Sequence, residues 1–195
     1  MIKQISEAKD IAISLLNEGQ VIAVPTDTVY GLVCKLSSAN GIKKIFELKK
    51  RPEGLALPVL VGSFQQAQEL TKNFSDASEL IKAYWPGALT IIFLRNDKYK
   101  DIDLGGDAKT IGLRLPNHEF VRQLCDSCGP LASTSANFHS TIPFETAQDI
   151  RGAFSESLLP LVVDAGPLSQ TASTVVDITS GVLKILRQGP VKLDL

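Results

Sequence analysis

The sequence predicts a single α/β domain built on a mixed β-sheet. Apolar residues alternate along the chain between helical and strand spacing, as in folds that interleave both elements. Residues 174–178 and 183–186 have strand-like composition and are separated by Thr179-Ser180-Gly181, which predicts an antiparallel hairpin and excludes a purely parallel sheet. The 195 residues suit one domain over 1–195, and no repeat, low-complexity segment or linker divides them.

Local signals place the elements of this domain. Ser6 is a candidate N-cap for a first helix to about residue 17, and Asn40 opens a second helix that delivers Lys49-Lys50-Arg51 at its C-terminal end. Pro58 favours an edge or strand-start position for the strand over residues 57–61. The other predicted strands cover 21–24, 89–94, 110–115, 130–132 and 159–163, and the other helices cover 63–70, 77–84, 119–127 (capped by Asn117) and 146–154.

Composition excludes several classes of protein. Twenty basic against 21 acidic residues give a net charge of −1, which argues against a protein that coats nucleic acid by bulk charge. No apolar run reaches the roughly 20 residues of a membrane span, and the N-terminus has no signal-peptide pattern, so we expect a cytoplasmic protein with no membrane partner. Three cysteines fit a reduced compartment. Cys125 and Cys128 have the spacing of a redox pair or half a zinc site, but thiols of an amphipathic helix need no function, and we expect no metal site.

Phosphate-binding loops of the familiar kinds are absent, so donors for a nucleotide would have to be dispersed. Lys49 and Arg51 lie two residues apart beyond a helix and can grip phosphate oxygens from one side of an extended segment. The alternative is a solvated helix end, where cations are favoured by the helix dipole. The sequence leaves both interpretations open.

Polar residues also follow two predicted strands. Residues 133–137, Ser-Thr-Ser-Ala-Asn, combine hydroxyl groups with backbone amides that suit a phosphate or a carboxylate, although a polar turn has the same composition. Residues 25–32 contain hydroxyls that could contact a small polar ligand, or form a turn with an Asx-type bond from Asp27. Arg114 lies inside a strand, where a buried guanidinium needs either an internal carboxylate or an anionic ligand, and Arg187 poses the same question.

Taken together, seven stretches resemble the YrdC/TsaC family of threonylcarbamoyl-AMP synthases (L-threonylcarbamoyladenylate synthases), in family order and over nearly the whole chain. They are Pro-Thr-Asp-Thr-Val-Tyr-Gly-Leu at 25–32, Lys-Lys-Arg-Pro at 49–52, Trp-Pro-Gly-Ala-Leu-Thr at 85–90, Ile-Gly-Leu-Arg-Leu-Pro at 111–116, Ser-Thr-Ser-Ala-Asn at 133–137, Ser-Thr-Val-Val-Asp at 173–177 and Ile-Leu-Arg-Gln-Gly at 185–189.

The resemblance implies a fold, a reaction and partners. The fold would be a twisted mixed sheet with helices around a basic concave cavity. The reaction would convert L-threonine, bicarbonate (or CO2) and ATP into threonylcarbamoyl-AMP and pyrophosphate, with Mg²⁺ held through the ATP phosphates. The product would supply the threonylcarbamoyl group of modified adenosine in tRNA through a separate threonylcarbamoyl-transferase complex. Alternatives are a non-catalytic paralogue that contacts tRNA or double-stranded RNA, and a carbamoyl-transfer domain.

The resemblance also implies roles for single residues. The catalytic pair would be Lys49 and Arg51, the ATP contacts would be Lys49, Arg51, Thr110, Ser135, Asn137 and Arg187, and the L-threonine contacts would be Thr28, Arg114, Ser133 and Ser173. Leu55, His139 and Pro143 stand where the family commonly has other residues at the nucleotide, so we expect weaker ATP contacts there.

Overall fold

Ten strands of the described residues form one mixed sheet, which six α-helices cover. The computed structural model describes residues 1–50, 52, 54–168 and 171–193. The strands are β1 (Ile2–Gln4), β2 (Ile22–Val24), β3 (Gly31–Lys35), β4 (Val59–Leu60), β5 (Leu89–Leu94), β6 (Thr110–Arg114), β7 (Leu131–Ser135), β8 (Val162–Asp164), β9 (Thr174–Asp177) and β10 (Lys184–Arg187). The helices are α1 (Ile5–Asn17), α2 (Ala39–Lys49), α3 (Phe64–Leu70), α4 (Ser78–Tyr84), α5 (Glu119–Cys128) and α6 (Ala147–Ala153), with 3₁₀ turns at Phe74–Ala77 and Asp97–Tyr99.

The sheet order is β1-β8-β2-β3-β7-β4-β6-β5-β9-β10, with parallel and antiparallel pairs. The predicted α/β class and mixed sheet are therefore confirmed. The predicted C-terminal hairpin is also confirmed, because β9 and β10 pair antiparallel. Many neighbouring strands are far apart in the chain, as in the parallel pair of Ile2 with Val162.

Alternation along the strands gives the sheet two buried faces. In β2, Ile22 and Val24 pack with α1 and α5, whereas Ala23 packs with the larger cluster that contains α2. Val33 of β3 belongs to the first cluster and Leu32 to the second. Because both faces are covered, these strands have near-continuous apolar sequences rather than an alternation of apolar and polar residues.

Three predicted helix caps are wrong by a short distance. Helix α1 begins at Ile5 with no side-chain cap, so Ser6 lies inside the helix. Helix α2 is capped by Ser38, whose hydroxyl accepts from Gly41 N, and not by Asn40. Helix α5 has His118 at the N-cap position without a side-chain bond, in place of Asn117. Small polar residues lie on both sides of the start of α2, and the structure selects Ser38 among them. Helix α1 begins directly after Gln4, where no small polar residue precedes it.

Two strands escaped prediction. Strand β1 is three residues long and is stabilised by β8, about 160 residues away, so no local signal marks it. Strand β3 begins at Gly31, inside the motif that we interpreted as a turn. Strand β4 is an inner strand between β7 and β6, so the edge position suggested by Pro58 is wrong, whereas the strand-start position is confirmed.

None of the helices in the described ranges is long and apolar enough to cross a membrane.

Candidate functional site

A cavity of about 130 Å³ opens on the sheet face that also carries α1 and α5. Cross-strand register explains its composition. Val33, Leu131 and Leu60 are apolar on this face, and further along the same strands the face carries Gly31, Ser133 and Ser135. The cavity is lined by Thr26, Thr28, Val29, Gly31, Pro58, Leu60, Thr90, Arg114, Ser133, Thr134, Ser135, Ala172, Ser173 and Arg187.

The segment between β2 and β3 supplies one wall through a turn that Thr26 closes. Its hydroxyl accepts from the backbone N–H of Thr28 (3.1 Å) and Val29 (3.2 Å) and donates to Val29 O (2.7 Å). The turn bond therefore comes from Thr26, and the predicted Asx bond of Asp27 is wrong. This leaves the Asp27 carboxylate available for a partner elsewhere in the sheet.

Arg114, at the end of β6, is that partner and is 6% exposed. Its guanidinium donates to Asp27 Oδ1 (2.5 Å), Thr28 Oγ1 (2.8 Å) and Gly87 O (3.0 Å). The strand arginine thus has an internal carboxylate. Burial lowers the pKa of Arg114, Asp27 opposes that shift, and neighbouring Arg187 adds to it. A guanidinium has five N–H groups, so two remain beyond these three bonds.

Lys49 is the last residue of α2 and is only 2% exposed, so its interpretation as part of a solvated helix end is wrong. Its predicted position in an extended segment beyond the helix is also wrong, because Lys49 is helical. Its ammonium group donates to Ser135 O (2.8 Å), Asn137 O (3.0 Å) and Asn137 Oδ1 (2.5 Å). Ser135 Oγ also donates to Asn137 Oδ1 (2.6 Å). Lys49 therefore fixes the end of β7 and the residues that follow it, and Ser135, the last residue of β7, lines the cavity.

The hairpin β9–β10 supplies the opposite wall. Arg187 donates from Nε to Ser173 O (2.9 Å) and from Nη2 to Ser173 Oγ (3.2 Å). Ser173 Oγ is also 2.8 Å from Thr90 Oγ1. A Cβ on Gly189 would lie 2.4 Å from Ala172 O, so only glycine permits this close approach behind Ser173. Burial lowers the pKa of Arg187.

The nine predicted site residues that the structure describes divide into three groups. Six of them line this one cavity: Thr28, Arg114, Ser133, Ser135, Ser173 and Arg187. Lys49 and Asn137 lie behind it, joined to Ser135. Thr110 does not line it, because it lies at the far end of β6 from Arg114 and donates to Asp107 O (3.2 Å). Arg51 falls outside the described residues. Two arginines line the cavity, and its basic character remains a prediction.

Sequence reasoning missed one polar residue of the cavity, Thr90, and one buried polar group outside its lining, in His118. Thr90 lines the cavity, and its place in the Trp-Pro-Gly-Ala-Leu-Thr stretch was the available signal. His118 has a buried Nδ1 without a hydrogen-bond partner. Burial lowers the pKa of His118, Asp27 raises it in part, and Arg122 lowers it further.

The cysteines lie apart from this cavity and are buried. Burial raises the pKa of the Cys34 thiol to about 12 and also raises the pKa of Cys125 and Cys128. Since the thiolate is the reactive form, burial and a raised pKa favour a structural role for the three thiols over a reactive one. In the described part of the chain, no three His, Cys, Asp or Glu side chains group in a way that could hold a metal ion.

Comparison with known proteins identifies the family. The Sua5/YciO/YrdC family model, described as "Telomere recombination", matches residues 14–189. A Klebsiella pneumoniae protein named threonylcarbamoyl-AMP synthase is 33% identical over 188 residues, which cover 94% of this chain and 97% of that protein. A Mycobacterium tuberculosis protein, provisionally given the same name, is 34% identical over 185 residues, which cover 94% of this chain and 84% of its own length.

Solved structures agree with this assignment. Sua5 of Pyrococcus abyssi, crystallised with L-threonine, has a TM-score of 0.88 and 30% identity over 97% of this chain. The chain spans 57% of that longer protein. Escherichia coli YciO has the same fold, with a TM-score of 0.86, 24% identity and coverage of 98% of this chain and 97% of its own. The chain belongs to the Sua5/YciO/YrdC family.

Proposed function

We propose that this chain is an L-threonylcarbamoyladenylate synthase, an enzyme that makes threonylcarbamoyl-AMP and pyrophosphate from L-threonine, bicarbonate or CO2, and ATP. One observation carries the proposal. The four side chains expected to bind L-threonine (Thr28, Arg114, Ser133 and Ser173) line one cavity with Ser135 and Arg187, two of those expected to bind ATP. The names of the family relatives, and the L-threonine bound to the Pyrococcus Sua5, support the same function.

The size of the cavity supports an amino acid as its occupant. Its volume of about 130 Å³ is below the roughly 300 Å³ of sites for drug-sized ligands. A small amino acid would fill it, and the nucleotide would extend outward beyond Ser135 and Arg187. The two remaining N–H groups of Arg114 would pair with the threonine carboxylate in a charge-assisted contact.

The chemistry requires orientation and charge neutralisation more than an acid–base pair. The carbamate formed on the threonine amine would attack the α-phosphorus of ATP through its oxygen, and pyrophosphate would leave. Arg51 and Arg187 would neutralise charge on the phosphates. Lys49 and Asn137 would hold the Ser135 segment against them. Mg²⁺ would be held largely by phosphate oxygens and would neutralise further charge, as suits an ion that keeps several waters.

The wider setting follows from this product. Threonylcarbamoyl-AMP would pass to a separate threonylcarbamoyl-transferase complex that modifies tRNA, which places the reaction in the cytoplasm. The same proposal includes Thr110 as a contact of the nucleotide, and weaker ATP contacts at Leu55 and Pro143.

The decisive experiment measures pyrophosphate release. Purified protein with ATP, Mg²⁺, bicarbonate and L-threonine is expected to release pyrophosphate and form threonylcarbamoyl-AMP, detected by mass spectrometry. Omission of L-threonine or bicarbonate should abolish both signals. Pyrophosphate release that depends on another amino acid would refute the proposal. Salt-sensitive tRNA binding without any product would favour the RNA-binding paralogue.

Lys49 offers a matched test of the residue roles. Lys49→Ala is expected to lower kcat/KM by about 30- to 1,000-fold, since charge-assisted contacts in a dry site are worth about 2–4 kcal/mol. Lys50→Ala is the control, because Lys50 is the next residue but is exposed at the end of α2. Equal activity of the Lys49→Ala and Lys50→Ala variants would exclude a role for Lys49 in the function of the site.

A further inference from the structure

We infer that Thr90 is a positioning residue of the amino-acid subsite, which fixes the direction of the Ser173 hydroxyl through a side-chain hydrogen bond. The inference rests on the proposed function and deepens it, since Ser173 is one of the four expected L-threonine contacts. Thr90 lies 83 residues from Ser173 in the chain, and its hydroxyl is 2.8 Å from the Ser173 hydroxyl.

Strand pairing brings the two residues together and holds them. Strands β5 and β9 pair in parallel, with Leu89 opposite Thr174 and Thr90 opposite Val175. A backbone bond from Thr174 N to Ala88 O (3.0 Å) extends this ladder beside Ser173. Thr90 is 4% exposed and Ser173 is 5% exposed, and both line the cavity. The hydroxyl pair is therefore a fixed part of the cavity wall.

The hydroxyl hydrogens of Thr90 and Ser173 determine which hydrogen-bond donor the pair presents to a ligand. Two hydroxyls carry two hydrogens, and one of them lies in the bond between Thr90 and Ser173. Arg187 Nη2 donates to Ser173 Oγ and so occupies an acceptor site of that oxygen. One hydroxyl hydrogen remains for the cavity, and it is carried by Ser173 when Thr90 donates to Ser173. Thr90 therefore decides whether Ser173 presents a donor to a bound carboxylate or hydroxyl.

The same bonds connect the two proposed subsites. Arg187, an expected nucleotide contact, holds both Ser173 O and Ser173 Oγ, while Thr90 holds Ser173 Oγ from the other side. Loss of the Thr90 hydroxyl leaves the bond from Arg187 Nε to the backbone Ser173 O in place, so Arg187 keeps its position even if the Ser173 side chain rotates. The defect should therefore appear in amino-acid binding and leave nucleotide binding nearly unchanged.

Thr90→Val tests this inference, because valine keeps the shape of threonine and removes its hydroxyl. We expect the KM for L-threonine to rise about 3- to 10-fold, the effect of one lost neutral hydrogen bond, while the KM for ATP changes less than about 2-fold. Thr90→Ser restores the hydroxyl and is expected to recover most of the affinity for L-threonine.

Thr71→Val is the matched control. Thr71 is 6% exposed, its hydroxyl donates to Ala67 O (3.1 Å), and it does not line the cavity. We expect this variant to lose stability without a change in either KM. Equal shifts in both KM values for Thr90→Val, or no rescue by Thr90→Ser, would overturn the inference.

A crystal structure of Thr90→Val separates this inference from the proposed function. Wild-type protein that makes no product and binds no L-threonine would refute the proposed function alone. The inference would then be judged by the Ser173 side chain, which should change its rotamer in the variant. A Ser173 side chain left in its wild-type rotamer and contacts would overturn it.

Discussion

The two arginines of the cavity, Arg114 and Arg187, come from similar strand sequences but lie in opposite environments. Arg114 ends an inner strand, is 6% exposed and forms an ion pair with Asp27. Arg187 ends the edge strand β10, is exposed, and takes part in none of the ion pairs recorded among the described residues. Its contacts with Ser173 are to neutral oxygens.

In the described part of the chain, the charge of Arg114 is paired inside the fold, whereas the charge of Arg187 is not. Asp27 largely neutralises the positive charge of Arg114. Arg114 would therefore contact a ligand mainly through directional hydrogen bonds from its N–H groups. Among the described residues no carboxylate pairs with Arg187, and Arg187 lines the cavity, where an anionic ligand would stabilise its charge. Arg114 and Arg187 line the same cavity, so a ligand that fills it would contact both guanidinium groups.

The largest expected effect follows from loss of the buried ion pair between Arg114 and Asp27. Arg114→Met and Asp27→Asn should each lower the free energy of unfolding by about 3–5 kcal/mol, because each leaves a buried charge or its polar partner uncompensated. Urea denaturation followed by circular dichroism measures this. The double variant Arg114→Met/Asp27→Leu should recover part of the loss, and single variants as stable as the wild type would contradict a structural role for the pair.

The next effect concerns the outer arginine and appears in activity. Arg187→Gln should lower kcat/KM for ATP about 10- to 100-fold, since a hydrogen bond to a charged group is worth about 1.5–3 kcal/mol. The free energy of unfolding should change by less than about 1 kcal/mol, as is usual for exposed side chains. Lys184→Gln removes a second exposed cation of β10 that does not line the cavity. An equal loss of activity in that control would mean that net charge, and not the Arg187 contact, is responsible.

The smallest expected effect is a pH dependence of the unfolding free energy caused by His118, on which the charge of Asp27 acts. Burial lowers its pKa in the folded protein, so the folded state takes up a proton less readily than the unfolded chain. This contribution to stability is complete above the unfolded pKa of about 6.5 and is lost as the pH falls below it. The unfolding free energy of the wild type should therefore decrease more between about pH 7 and pH 5 than that of His118→Gln.

Asp27→Asn should steepen the slope at acid pH, because Asp27 raises the pKa of His118 and opposes the effect of burial. A His118→Gln variant whose slope equals that of the wild type would exclude His118 as the titrating group.

Much of the fold was predictable because its signals are local. Apolar periodicity gave the order of helices and strands, and the turn after residue 178 predicted the hairpin that makes the sheet mixed. The caps of α2 and α5 were less certain, since neighbouring polar residues compete for the same position, and α1 begins without a side-chain cap. Strand β1 had no local signal at all, as three residues form a strand only against an existing partner.

The site was predictable as a set of residues but not as a geometry. The resemblance to the family gave Thr28, Arg114, Ser133 and Ser173, which line one cavity. The contacts among them join distant parts of the chain: Lys49 and Ser135 are 86 residues apart, and Asp27 and Arg114 are 87 residues apart. The sequence left open whether Lys49 is solvated and which anion faces Arg114, and no local pattern could decide either.

The sequence by itself determined the α/β class, the hairpin and the residue types that chemistry at this site requires, because each depends on neighbours within a few turns or strand positions. The tertiary structure alone decided that Lys49 is buried, that Asp27 pairs with Arg114, and that Arg187 lines the cavity with no ion pair among the described residues. The physical reason is the order of the sheet. Strands β3, β7, β4, β6, β5 and β9 lie side by side in an order that the chain does not follow, and burial and pairing are set by those neighbours.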